Sequence, residues 1–411
     1  MSSPNPFPIT IVNNSGSDEE IYITIKGMNA SIAENKKQQF YDITSKAWSN
    51  TAIAVKLSDL TDGIIHMPNI DSGIVYLSFG SALKFADDIS PPNIGNPLDP
   101  SFNVIYDKFE ISFLPKDGFP FIDITNVDFF CVPLQLQEKL PNGTTNGPKG
   151  FAKSRQEIFK SFKDGLDGHW TKIRQKPEGK DVIRIIAPNK ALVNLPDVID
   201  NNFDASSFQN YVDAVWEYYA EGKGKSVQVD MSEIAEFNPG YQDVIFEGIV
   251  TGGKFVFSEK GGSGKLPSIS FEKPTGSNQI KGSVFGCENL FAAPNKTPQS
   301  VPAKNLGAAF NVGILAHPSI KDAVLYLMPP TTRTQDKNWK TYKKENVFYT
   351  NTMKLEDGSI LDCYNVYSKY IHENAIDSDD YAFAFDDVTQ SDSTLSDRNA
   401  TGAIVTIQKI N

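Results

Sequence analysis

Residues 105–134 read IYDKFEISFLPKDGFPFIDITNVDFFCVPL, and the alternation inside this stretch sets the fold. In one run Phe109, Ile111 and Phe113 alternate with Glu110 and Ser112; in the next, Val127, Phe129 and Cys131 alternate with Asn126 and Asp128. Side chains of a strand point to opposite faces with period two, so each run has one apolar and one polar face. Glu110 and Asp128 fall on the polar faces. Pairing the runs antiparallel, with the apolar sets together, stands both carboxylates over one sheet face. Such a pair is a floor for a catalytic cleft.

Spacing decides what two carboxylates can do. Directly opposed residues have Cβ atoms about 5 Å apart, and diagonal ones about 7–8 Å. Carboxylates about 6.5–9.5 Å apart leave room for a water and suit an inverting glycosidase, whereas about 5–5.5 Å suits a retaining one. A tight turn at Lys116-Asp117 would set Glu110 opposite Asp123, while a wide loop through residues 115–123 would bring Glu110 level with Asp128. Pro115, Gly118 and Pro120 oppose a regular ladder and predict the wide loop. Against this stands the plain alternative of solvated surface, since the chain has 50 acidic residues.

FEISF followed by DITNVDFFCVPL resembles the paired signature of the thaumatin-like β-sandwich proteins. More closely, it is similar to family 64 of the glycoside hydrolases, bacterial β-1,3-glucanases on that fold. The opening ITIVNNSGSDEEIYITIKG resembles the first two strands of that family, and DDYAFAFDDVTQSDS its aromatic Asp-Asp motif. The resemblance implies an inverting endo-type β-1,3-glucan hydrolase that releases short oligosaccharides. Glu110 would be its general acid and Asp128 its general base. It also implies sugar contacts from Ser112, Phe121, Asp123, Thr125, Asn126, Tyr381 and Asp387, with either Asp386 or Asp387 lining the cleft opposite Glu110. Two positions depart from the pattern. Phe121 stands where a tryptophan platform is expected, and Asp123 where Asn is commoner. A third carboxylate beside Glu110 favours the protonated acid form by like-charge repulsion.

Composition agrees with a neutral polymer as partner. The chain has 411 residues, 22% of them charged, and a net charge of −11, which opposes the basic stripe a nucleic-acid surface needs. Cys131, Cys287 and Cys363 are too few for a disulfide scaffold, and Cys131 on its apolar face reads as a small buried hydrophobe. There is no CxxC or HExxH spacing and the 4 histidines are scattered, so neither metal nor other cofactor is expected. No apolar run reaches the length of about 18 residues a membrane span needs. Residues 1–8, MSSPNPFP, lack the basic and apolar regions of a signal peptide. By resemblance the protein is secreted, with an intracellular location or another export route as the competing reading. A monomer is expected.

The fold class expected is mainly β with an α/β insertion: a thaumatin-like sandwich or barrel from residues 1–150 and 276–411, and a smaller mixed α/β domain from 151–275, with the cleft between them. Residues 9–12, 21–26, 53–57 and 74–79 read as short strands. LPNGTTNGPKG at 140–150 reads as a linker. Ser154 and Glu157 have capping-box spacing before Ile158, Phe159, Phe162 and Leu166. Phe208, Tyr211, Val212, Val215, Trp216 and Tyr219 recur at helical spacing, and Gly222 can end that helix; core packing is the expected role of the stripe, a sugar platform the alternative. Residues 182–186 read as a strand, and Gly252-Gly253 as the turn of a hairpin. KGGSGK at 260–265 lacks the order of a phosphate-binding loop and reads as a flexible one. Residues 283–286, 308–315, 323–327 and 403–407 are expected to be strands completing the β domain. The other functions carried forward are a non-catalytic β-glucan-binding or antifungal-type protein on the same scaffold, and a toxin or effector bearing this domain.

Overall fold

The computed structural model describes residues 6–32, 37–177, 181–191, 203–262, 264, 266–292, 294–329 and 337–410. Two β-sheets are built from the period-two runs. The first follows the order Ala47–Ser49, Gln38–Asp42, Ile21–Asn29, Ile70–Phe79, Tyr106–Phe113, Pro120–Ile124. The second follows Thr145–Gly150, Leu134–Lys139, Gly402–Ile407, Phe7–Asn13, Ile64–Met67. Ile23, Ile25, Val75, Phe109, Ile111, Ile122 and Ile124 of the first sheet share one core with Ile9, Ile11, Leu136, Val405 and Ile407 of the second. Phe7 and Phe113 meet across the layers with ring centroids 5.6 Å apart. Burying each such side chain stabilises the fold by about 1.5–3 kcal/mol. The opposite face of the first sheet is thereby left for polar groups.

The first and last of these strands, Phe7–Asn13 and Gly402–Ile407, pair in parallel. Residues 140–150 are not a linker. Thr145–Gly150 is an edge strand paired antiparallel with Leu134–Lys139, a place where proline is tolerated. Gly150 sits there at φ +82°, and a Cβ on it would stand 2.4 Å from both Ile124 Cδ1 and the Leu134 carbonyl oxygen.

The mixed α/β part begins at Ser154. Its hydroxyl accepts from the Glu157 amide at 3.3 Å, and the Glu157 carboxylate accepts from the Ser154 amide at 2.7 Å. Helix Arg155–Gly165 buries Ile158 and Phe162. The aromatic stripe of helix Gln209–Tyr218 is core: Tyr211 and Trp216 pack on Phe310 with centroids 5.6 and 6.3 Å away. A second mixed sheet runs Ile269–Phe271, Lys254–Glu259, Ile245–Thr251, Ser226–Asp230, Val324–Leu327. Gly252 and Gly253, both at positive φ, close its hairpin. Ser263 and Lys265 of the KGGSGK stretch lie outside the described residues.

Three expected strands are corrected. Residues 283–286 fall largely in the π-helical turn Ile280–Phe285, and 308–315 fall mostly in helix Ser300–Val312, which Gly313 ends at φ +77°. Nearly every residue of that helix is buried, so its apolar run carries no helical stripe to separate it from a buried strand. Val324–Leu327 is a strand, but it pairs in parallel with Ser226–Asp230 rather than joining the sandwich. No helix among the described residues is long and apolar enough to cross a membrane.

Candidate active site

On strand Tyr106–Phe113 the core takes Phe109, Ile111 and Phe113, so Lys108, Glu110 and Ser112 share the outer face. The register across this strand corrects the wide loop. Glu110 pairs directly with Asp123, Ser112 with Phe121, and Phe113 with Pro120. The turn is compact, with the Asp117 and Gly118 amides both donating to the Leu114 carbonyl at 3.1 and 3.2 Å. The prolines do not break the ladder, because Pro115 is the second residue of the turn and Pro120 is the first residue of the returning strand.

Asp128 therefore reaches the site by another route. It lies just before the short strand Phe129–Phe130, and its carboxylate accepts from Lys108 Nζ at 2.5 Å. Lys190 Nζ stands 3.5 Å from its other oxygen. Burial alone would raise the Asp128 carboxyl, but the two ammonium groups outweigh it and hold the pKa at about 2. Lys108 is itself buried, which alone would favour its neutral form; Asp128 and Glu110 reverse this and keep it charged. Beneath them Asp107 points into the core and accepts from the Lys108, Cys131 and Val132 amides at 2.8–2.9 Å. Burial pushes its pKa up to about 6 despite those three donors. These bonds fix the chain just beyond Asp128 to the strand that carries Glu110. Beside Asp128 opens a cavity of about 390 Å³, walled by Ile74, Tyr76, Tyr106, Phe129 and residues 90–95.

Asp123 is half-buried, and its pKa is raised well above the ordinary value by burial first, then by Glu110, Asp392 and Asp380. Next along the chain, Thr125 bridges to Tyr381, whose carbonyl accepts from the Asn126 amide at 2.8 Å. Thr125 and Asn126 are buried, which corrects their expected role as sugar contacts. The Asn126 side-chain amide is committed to Asp380 at 2.7 Å. Tyr381 Oη donates to Asp387 at 3.1 Å, and Asp387 is exposed. Of the Asp386-Asp387 pair it is Asp387 that opens outward, into a cavity of about 270 Å³ shared with Lys304, Glu233 and Phe385. Asp386 is turned inward, accepting from His372 Nε2 and the Ala382 amide, both at 2.9 Å. His372 Nδ1 lies 3.0 Å from the Ser378 carbonyl. With an acceptor at each ring nitrogen, His372 is an imidazolium, and Asp386 raises its pKa against the effect of burial.

Phe121 is 42% exposed on the same face as Glu110, with Phe119 at 5.3 Å between centroids. Ser112 Oγ accepts from the Ser72 amide at 3.2 Å and keeps its own proton free to donate. Among the described residues no group of three His, Cys, Asp or Glu side chains is placed to hold a metal ion. The sequence reading passed over Lys108, Lys190 and Tyr76. Lys108 was legible, since it precedes Glu110 by two residues on one strand. Lys190 was not: a long-range bond from the Ala187 amide to the Asp128 carbonyl, 2.9 Å, brings its segment in.

Against known proteins, the family model described as β-1,3-glucanase, glycoside hydrolase family 64, matches residues 5–407. A glucan endo-1,3-β-glucosidase of Cellulosimicrobium cellulans is 26% identical over 346 residues, 83% of this chain and 53% of that protein. One from Arthrobacter sp. (strain YCWD3) is 26% identical over 348 residues, with the same coverage. The chain thus spans about half the length of the curated relatives it matches. Among solved structures, a laminaripentaose-producing β-1,3-glucanase in complex with laminaritetraose superposes with TM-score 0.74 at 25% identity, covering 99% of both chains. The β-1,3-glucanase domain of Clostridium beijerinckii does so with TM-score 0.70 at 19% identity over 98% of both, a likeness of fold.

Proposed function

The chain belongs to glycoside hydrolase family 64, the β-1,3-glucanases, and from that premise we propose that it is an inverting endo-1,3-β-glucanase acting on β-1,3-glucan. Glu110 donates its proton to the glycosidic oxygen as the bond to the anomeric carbon breaks. Asp128 takes a proton from a water attacking that carbon from the opposite face. The observation that carries the reading is the buried Lys108 ammonium, which shares a strand face with Glu110 and binds the Asp128 carboxylate at 2.5 Å. Side-chain stations two residues apart on a strand are about 7 Å from each other. Inversion needs Asp128, held by Lys108, to stand about 6.5–9.5 Å from Glu110. The low pKa of Asp128 suits a group that must be ionised before it can act. Phe121, Ser112 and Asp387 line the sugar path, and the sandwich is read as thaumatin-like on the resemblance of its central signature.

The test is release of reducing ends from laminarin or curdlan by the wild type, Glu110→Gln and Asp128→Asn. Loss of about 10²–10⁴-fold in kcat for each variant is expected. Wild-type turnover in either one would end the assignment, and binding without turnover by the wild type would leave a glucan-binding module.

The ladder itself favours a second reading. Glu110 and Asp123 are directly opposed, with Cβ atoms about 5 Å apart, close to the spacing of a retaining pair. There Asp123, held protonated, is the acid and Glu110 the nucleophile. The two readings predict opposite anomers in the first product.

A further inference from the structure

The acid-and-base scheme leaves Lys108 unused, although it is a buried cation beside Asp128, 5% exposed. A buried ammonium is tolerated only when paired, and this one has Asp128 at 2.5 Å and Glu110 nearby on its own strand. We propose that Lys108 is a positioning residue: its ammonium holds the Asp128 carboxylate against the strand that carries Glu110, setting both the separation of acid and base and the charge state of the base. The inference rests on reading Asp128 as the base.

The geometry separates Lys108 from the other groups around that carboxylate. Lys108 faces Asp128 from strand Tyr106–Phe113, with Glu110 acting on the same ammonium; Tyr76 faces it from the adjacent strand Ile70–Phe79, Lys190 from the segment after Arg184–Ile186, and Tyr367 from helix Val366–Asn374. Of these only the two lysines are cations able to offset burial at Asp128. Lys190 contacts its oxygen at the longer 3.5 Å with its side chain 42% exposed, so solvent can replace it. Water cannot easily replace Lys108, which is buried, with its Nζ 5.7 Å from the centroid of the Phe129 ring. A base clamped in this way stays anionic in acidic solution, the state inversion requires of it.

The experiment is the pH dependence of kcat and KM on laminarin for the wild type, Lys108→Met, Lys108→Arg and Lys190→Met, with Glu110→Gln and Asp128→Asn alongside. Removing an opposite charge within hydrogen-bond distance raises a carboxyl pKa by about 1–3 units, so the acid limb for Lys108→Met moves to higher pH by that amount. Its kcat falls at least tenfold while KM stays within about twofold. Arginine at position 108 restores the limb by keeping the charge, and Lys190→Met moves it less. An unchanged acid limb in Lys108→Met overturns the inference, as does a raised KM with an unshifted profile, which would make Lys108 a sugar ligand. Where thermal melting shows that Lys108→Met does not fold, Lys108→Arg carries the test: it must keep the wild-type limb with a lowered kcat, and a shifted limb overturns the inference. Wild-type turnover in either Glu110→Gln or Asp128→Asn would instead sink the underlying reading.

Discussion

Glu110 and Asp123 stand directly opposite each other on neighbouring antiparallel strands, two acids at one rung of the ladder that floors the cleft. Such a pair cannot hold two full charges cheaply, and burial together with Glu110 raises the Asp123 pKa well above the ordinary carboxylate range.

The anomer released first from laminarin separates the two chemistries open to this floor. Inversion through Asp128 gives the α-anomer, read by proton NMR within the first minutes. Asp123→Asn then retains turnover. A β-anomer, with turnover lost in Asp123→Asn, would move the acid role to Asp123.

His372 makes the fold sensitive to alkali. Its pKa is raised above 6.5 in the native state, so its contribution to stability is complete below that value and is lost as pH climbs through the raised one. The wild type should melt at a lower temperature at pH 9 than at pH 6, and His372→Gln should flatten that part of the curve. Because the His372–Asp386 pair anchors the segment that presents Tyr381 and Asp387, KM should rise over the same interval.

Gly150→Ala should destabilise strongly. The left-handed conformation costs a residue with a Cβ about 1–2 kcal/mol, and overpacking against Ile124 and the Leu134 carbonyl adds about 1–3 kcal/mol. Urea unfolding checks the sum.

Phe121→Ala tests the proposed platform. An aromatic contact beyond simple burial is worth about 0.5–1.5 kcal/mol, so KM for laminarin should rise roughly two- to tenfold. The melting temperature should barely move, because the ring is 42% exposed. A large loss of stability with unchanged KM would make Phe121 a packing residue.

The sandwich was legible because the sequences of its strands alternate, with Ile21, Ile23 and Ile25 inward and Tyr22 and Lys26 less buried, although Thr24 between them is buried too. Helix Arg155–Gly165 was legible from its cap and stripe. Helix Ser300–Val312 was not, since a segment buried on all sides has no periodicity to read. At the site, alternation alone put Glu110 on the open face, yet the register was misjudged because a proline inside a turn and one opening the returning strand look like prolines interrupting a strand. Thr125 and Asn126 were misplaced for a different reason. Their burial depends on Tyr381 and Asp380, more than 250 positions away in the chain.

Strand Gly402–Ile407 lies in the middle of its sheet, between Leu134–Lys139 and Phe7–Asn13. During synthesis on the ribosome, the sheet that backs the Glu110 floor must therefore wait, split in two, until nearly every earlier residue has emerged. Two open strand edges are exposed throughout that interval, ready to pair with another chain. Premature termination anywhere before residue 402 would leave them so for good, and such fragments should aggregate rather than work at reduced rate.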